Sequence, residues 1–243
     1  MLGFLRKKLP ENLFRGAVDI HCHLLPGVDD GFSSTEKSLH ALKKYAERGV
    51  EKIVLTPHFM KDYPDNDRAS IIAKFETFKA EAAKVCGIEL HLGAEYMLDG
   101  RFMEHFRQGF LTLDKAGTHV LCETSYLMYE QGITEMIYEI MCEGLQPIVA
   151  HPERYEYANQ VNYLRWKDKR YKFQLNLLSL AGAYGEPAYV KSHYMLKEGM
   201  YDYVGSDMHN LDNFRRFLPE IRLSMKEMAQ LERLMENNKK LLD

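Results

Sequence analysis

The sequence predicts an α/β fold in which seven strand–helix units close into a barrel of parallel strands. Three observations carry that expectation. Short runs rich in Val, Ile and Leu alternate along the chain with segments whose apolar residues recur at helical spacing. No Gly/Ser/Pro-rich linker interrupts the alternation, so residues 1–243 read as a single domain. The strand candidates also tend to end in His, Asp or Glu, and the C-terminal ends of barrel strands meet on one face, where active sites sit.

The elements follow in order. Ala17, Val18 and Ile20 lead the first strand into Asp19-Ile20-His21-Cys22-His23, and a Pro/Gly-broken turn then carries Asp29, Asp30 and Gly31. Side chains at i and i+2 of a strand share a face, so His21 and His23 can point at one object. Ser33 with Glu36 reads as a capping box for a helix with Leu39, Leu42, Tyr45 and Ala46 inward, and Gly49 ends it. Lys52–His58 is the second strand, followed by a polar, aromatic loop from Phe59 to Asp67 and a helix running to Gly87. The third strand, Ile88–Ala94, ends in Glu95. Between Arg101 and Lys115, Phe102, Phe106 and Phe110 fit a short helix and then a strand.

Thr118–Cys122 leads to Glu123 as the fourth strand, and Ile133, Met136, Ile137, Ile140 and Met141 stripe the next helix up to Gly144. Gln146–Ala150 is the fifth strand, ending in His151-Pro152-Glu153-Arg154. A helix over 161–169 precedes the sixth strand, Tyr171–Leu175, which ends at Asn176. A helix over 186–198 precedes the seventh, Asp202–Gly205, which ends in Ser206-Asp207-Met208-His209. From Pro219 onward, Leu223, Met228, Leu231 and Leu234 mark one amphipathic helix on the outer wall.

Composition narrows the function classes. A net charge of -3 offers no sequence-wide basic field of the kind nucleic-acid binders use. No run approaches the ~20 apolar residues of a membrane span. Leu2–Leu5, ahead of Arg6-Lys7-Lys8, is too short for the apolar core of a signal peptide. Cys22, Cys86, Cys122 and Cys142 lack C-x-x-C spacing, which suits reduced thiols in a cytoplasmic protein.

In a closed barrel His21, His23, Asp30, His58, Glu95, Glu123, His151, Asp207 and His209 converge on one rim. Half of the ten histidines fall at that single topological position. Mixed imidazole and carboxylate ligands suit Mn²⁺, with Fe or Zn²⁺ as alternatives, better than Ca²⁺. Nine ligands exceed one ion's needs, so two or three divalent ions are expected. Such ions acidify water and clamp oxygens, the chemistry of phosphoester hydrolysis. Asp29 reads as a turn residue or a support for the ligands, His91 as a satisfied core histidine, and His40, His105, His119 and His193 as surface or packing residues. Asn176 is open between bonding a ligand and capping a helix.

The D-I-H-x-H…D-D-G opening, A-H-P-E-R-Y at 150–155 and S-D-M-H-N at 206–210 resemble the PHP (polymerase and histidinol phosphatase) superfamily. Within it the chain resembles the metal-dependent protein-tyrosine phosphatases of capsular and exopolysaccharide biosynthesis. That resemblance implies a distorted TIM-like (β/α)7 barrel. It implies one metal on His21, His23, Glu95 and Asp207, a second on Glu95, Glu123 and His151, and a third on Asp30, His58 and His209, with Glu95 bridging. It also implies Arg154 as a phosphate grip, together with Arg215 or the equally placed Arg216, and Asp207 and His209 as catalytic groups. The implied substrate is the phosphotyrosine-bearing tail of a bacterial tyrosine kinase. The family's basic run after the second-strand histidine is missing, since Phe59-Met60-Lys61-Asp62-Tyr63 follows His58.

Two alternatives stay open: a small-molecule phosphatase such as histidinol phosphatase, and a non-catalytic binding module of the same fold. No cysteine is followed by Arg at the sixth position, where Val28, Leu92, Met128 and Ile148 stand. A cysteine-phosphatase mechanism is therefore not expected.

Overall fold

The computed structural model describes residues 6–129 and 131–243, and the Leu2–Leu5 run lies outside them. A two-residue strand, β1 (Lys7–Lys8), precedes seven parallel staves. The first stave is β2 (Ala17–Cys22). The second is β3 (Val50–Leu55) followed by β4 (His58–Phe59), and the third is β5 (Glu89–Leu92) followed by β6 (Glu95–Met97). β7 (His119–Glu123), β8 (Gln146–Ala150), β9 (Lys172–Asn176) and β10 (Tyr203–Gly205) complete the set.

Hydrogen bonding divides the wall into two ladders, β2-β3-β5 and β4-β6-β7-β8-β9-β10, with every pair parallel. The second and third staves are therefore each broken just below the site. Pro57 has no N–H to give a ladder. At Gly93 the backbone passes so near that an added Cβ would stand 2.9 Å from Leu113 Cδ2 and 3.0 Å from Val54 Cγ1. Single bonds carry the wall across the breaks: Gly93 N–H donates to Leu55 O at 2.9 Å and Glu95 N–H to Pro57 O at 3.1 Å. The barrel closes where Asp207 N–H donates to His21 O at 2.8 Å and His23 N–H to Met208 O at 3.1 Å.

Helices wrap the staves: α1 (Thr35–Glu47), α2 (Arg68–Ala82), α3 (Phe102–Gln108), α4 (Ile133–Cys142), α5 (Gln160–Asp168), α6 (Gly185–Lys197), α7 (Leu211–Phe217) and α8 (Met225–Leu242). Inward residues such as Ile20, Val54, Leu121, Ile148 and Ala150 are fully buried inside the barrel. A larger apolar layer lies between the wall and the helices.

Several boundaries differ from expectation. Ser34, not Ser33, caps α1, accepting from Lys37 N–H at 3.4 Å, so the expected Ser33–Glu36 box does not form. α2 stops at Ala82 rather than Gly87, because Val85 N–H and Cys86 N–H both turn back to Ala82 O. Within 101–115 the short helix forms as α3, but no strand follows it. The tail is not one helix from Pro219: β11 (Arg222–Leu223) pairs antiparallel with β1, and Ser224 with Glu227 then caps α8 by a reciprocal box. α7, just after the seventh stave, was not expected. No described helix is long and apolar enough to cross a membrane.

Candidate metal centre

The barrel's C-terminal mouth gathers the residues that the strand ends deliver. His21, His23, Glu95, Glu123, His151 and Asp207 are buried, each at most 3% exposed, and His58 is 6% exposed. The Asp30 side chain is 59% exposed and that of His209 24%, so these two form the solvent-facing lip. All nine expected ligands share this mouth.

Three overlapping groups have ligand atoms within 4.8 Å of one another: His21, His23, Glu95 and Asp207; His58, Glu95 and Glu123; and His23, Asp30, His58 and His209. The first group is the expected set. The third is the expected trio with His23 added. In the second, His58 stands with Glu95 and Glu123, while His151 joins through Nε2, 2.9 Å from Glu95 Oε1 and 3.8 Å from Glu123 Oε2. Glu95 lies between the groups, with Oε2 at 3.1–3.3 Å from nitrogens of His21, His23 and His58.

The hydrogen bonds around the rings test whether cations fit. His21 Nδ1 faces Gln174 Oε1 and His23 Nδ1 faces Asp29 Oδ2, both at 2.9 Å. Each partner oxygen accepts, which assigns the ring proton to Nδ1 and leaves a lone pair on each Nε2. Those two Nε2 atoms face each other at 3.2 Å. Two lone pairs at that range repel unless positive charge lies between them. His58 Nδ1 and Glu123 Oε1, 3.2 Å from each other, and His151 Nδ1 are also buried without an aligned hydrogen bond, which for polar atoms is costly. The donor set thus fits divalent cations, with outer partners fixing the ring orientations as metal sites require.

Protons are the other possible source of positive charge. Burial disfavours a charged His21, but Glu95 and Asp207 outweigh it and raise its pKa to about 9. For His23, burial is likewise outweighed by Asp29, Asp207 and Glu95. Asp207 and Glu95 are held well below the ordinary carboxylate range, burial being overcome chiefly by His21. Carboxylates that stay ionised and demand a counter-charge are suited to a cation centre.

Backbone geometry presents two of the candidate ligands. His151 and Asp207 adopt φ of 32° and 49°, a left-handed conformation uncommon outside glycine. His151 is the first residue past β8 and Asp207 the second past β10, where the turn re-aims the side chain into the mouth.

Arg154 lies at the edge of the cluster, its Nη1 donating to Asp207 Oδ2 at 2.7 Å. Its guanidinium carbon is 4.4 Å from the ring centre of Tyr126 and 4.2 Å from that of Tyr184. The fork is therefore aimed by two aromatic faces and a carboxylate. Arg215 stands outside the cluster on α7, exposed, with Nη2 3.4 Å from His40 Nε2 in a groove that His209 also lines. Arg216 turns to Phe217, 5.1 Å from that ring's centre.

Asp29 supports the candidate ligands, also accepting from His58 N–H and Gly31 N–H. Asn176 does both things left open for it: its Nδ2 donates to Asp207 Oδ2 at 2.7 Å, and its Oδ1 accepts from Leu178 N–H at the start of a 3-10 turn. Sequence reasoning missed Gln174, Tyr126, Tyr184 and Glu153. Glu153 is buried and accepts from Asn176 N–H, Ser179 Oγ and Tyr201 Oη, so it anchors the backbone beside Asp207. The one available signal was its place in the H-P-E-R run.

The fold and this cluster define a class: a closed parallel α/β barrel with a candidate polynuclear metal centre at the C-terminal mouth. Within that class the chain belongs to the capsular polysaccharide synthesis CpsB/CapC family, whose sequence model matches residues 17–242. It is 30% identical to the tyrosine-protein phosphatase CpsB of Streptococcus pneumoniae over 210 residues, 81% of this chain and 84% of the relative. Identity to the tyrosine-protein phosphatase YwqE of Bacillus subtilis is 25% over 198 residues, 80% of this chain and 78% of that one. The fold matches a chain from the crystal structures of YwqE and CpsB, described as unique metal-dependent tyrosine phosphatases. That match has a TM-score of 0.77 at 24% identity, over 93% of this chain and 94% of the other.

Proposed function

We propose that the chain is a metal-dependent phosphomonoester hydrolase, a protein-tyrosine phosphatase acting on the tail of a bacterial tyrosine kinase of capsule or exopolysaccharide biosynthesis. The observation that carries this is the three overlapping ligand groups with the Arg154 fork at their edge. In this reading residues 1–243 work as one cytoplasmic domain, and His21, His23, Asp30, His58, Glu95, Glu123, His151, Asp207 and His209 hold two or three ions. Mn²⁺ suits the donors, with Fe or Zn²⁺ as alternatives. Bound, such ions supply Lewis acidity toward phosphoryl oxygens and acidify water.

The remaining work falls to side chains. Arg154 spends Nη1 on Asp207 and offers its other donors to phosphate oxygens, which a planar guanidinium matches. Tyr126 hydrogen-bonds Glu123 Oε2 at 3.0 Å and covers the arginine, which keeps both groups in register. Burial pushes the thiols of Cys22 and Cys122 upward, so neither supplies a thiolate nucleophile. A phenol leaving group, with a pKa of about 10, departs with less acid assistance than an alcohol.

The open lip favours a polypeptide over a small alcohol phosphate. Asn66 Nδ2 donates to Val28 O at 3.0 Å and to His58 O at 2.8 Å, which pins the loop after His58 to the rim. Asp30 stays exposed rather than lidded. The test is turnover by metal-reconstituted protein on a phosphotyrosine peptide and on histidinol phosphate, side by side. The peptide is expected to have the larger kcat/KM, and His209→Ala to lose most of it. A large preference for histidinol phosphate would establish the small-molecule alternative, and no turnover of either would leave the binding-module alternative.

A further inference from the structure

Beside the candidate centre the mouth opens sideways into a groove of about 810 Å³ between α1 and α7, lined at its inner end by Gly31 and His209. Lys37, His40 and Lys43 of α1 and Arg215 of α7 line it, and all four are exposed. Three-residue spacing keeps 37, 40 and 43 along one side of the helix. Among the described residues no carboxylate lies within ion-pair distance of Lys37, Lys43 or Arg215; Lys37 Nζ reaches only the Ser33 hydroxyl, at 3.2 Å. The groove's own acids, Glu36 and Asp212, occupy the first turns of α1 and α7. There each faces the positive end of its own helix dipole. The cations therefore have charge to offer to an incoming anion.

We propose that this groove docks an acidic segment of the substrate polypeptide adjoining the phosphotyrosine, read by Lys37, Lys43 and Arg215. The proposal rests on the phosphatase reading and adds a sequence preference to it. Six residues of helix separate Lys37 from Lys43, about 9 Å at ~1.5 Å per residue. An extended peptide covers that length with about three residues at ~3.3 Å each. A cluster of two or three Asp or Glu a few residues from the phosphotyrosine is the matching ligand. Three cations with no carboxylate at ion-pair distance among the described residues, on a chain of net charge -3, suit such a segment, not a nucleic acid backbone.

The experiment uses metal-reconstituted full chain and phosphotyrosine peptides that differ only in flanking Glu, Gln or Lys. The Glu peptide is expected to have a KM about 5–10-fold below the Gln peptide at equal kcat, with the gap closing at high salt. Lys37→Glu combined with Lys43→Glu should abolish that preference while leaving free phosphotyrosine turnover within about 2-fold, since neither lysine touches the reacting phosphate. Equal KM values, or a preference that survives the charge reversal, would overturn the proposal. Fluorescence anisotropy of an unphosphorylated Glu peptide separates the two readings. If no phosphotyrosine is hydrolysed the phosphatase reading fails, and loss of peptide binding in the double variant still decides for the groove. A Gln-flanked peptide with a second phosphotyrosine binding far better than a Glu peptide of equal charge would assign the groove to phosphate and count against an acidic-segment site.

Discussion

His23 illustrates how a single ring is held in place at the mouth. Its Nδ1 is committed to Asp29, a carboxylate that also receives His58 N–H and Gly31 N–H. One side chain thus fixes the tautomer of one ring and the backbone of another. Asp29→Asn is expected to weaken metal retention about 10–100-fold, as loss of an outer partner does in other metal sites. Metal content after dialysis against graded chelator, with circular dichroism as the fold control, measures this, and wild-type retention would contradict it. The Asp29 role was foreseeable from its place in a turn directly ahead of Asp30-Gly31. The matching role of Gln174 was not, because it lies 153 positions from His21 and nothing local marks it.

At the scale of elements, the last stave approaches the first where both carry site residues. A Cβ on Gly205 would stand 2.6 Å from His21 Cβ and 2.8 Å from Gln174 Nε2, so only glycine lets β10 pass. Gly205→Ala should cost about 1–3 kcal/mol by overpacking and displace the His21 ring, lowering metal retention as well. Gly100→Ala, with nothing within 4 Å of the added methyl, is the control and should stay within about 0.5 kcal/mol in urea unfolding. The start of β7 supplies a pH prediction. Burial of Asp114 is outweighed by its hydrogen bonds from Thr118 and His119, which lower its pKa. A folded value below the unfolded one gives stability that is present above about pH 4 and is lost as pH falls through the folded value. Asp114→Asn should flatten that acid limb in urea titrations between pH 3 and 6; an unchanged slope would discount the group. The breaks at Pro57 and Gly93 show why stave lengths were misread: hydrophobic runs continue across them while the ladder does not.

The whole molecule depends on joining its ends. Asn238 of α8, 1% exposed, donates to Val18 O at 2.9 Å and Val204 O at 2.6 Å and accepts from Val204 N–H at 3.2 Å. One amide therefore links the first and last staves at the bottom of the barrel. Asn238→Ala leaves those buried groups unpartnered and should cost about 1–3 kcal/mol or more in urea unfolding. A loss under ~0.5 kcal/mol would mean that water replaces the amide. Catalysis at the far mouth should survive in the fraction that remains folded.

The sequence by itself determined the number of staves, the alternation with helices and the residues that meet at one mouth, because those follow from local periodicity and from the rule that parallel strand ends share a face. It could not determine which atoms meet. The bond from Gln174 to His21, the sandwich of Arg154 between Tyr126 and Tyr184, the separation of Arg215 from the cluster and the basic groove beside it depend on ring closure. Closure brings residue 21 against residue 207, and a contact across that interval leaves no trace in spacing along the chain.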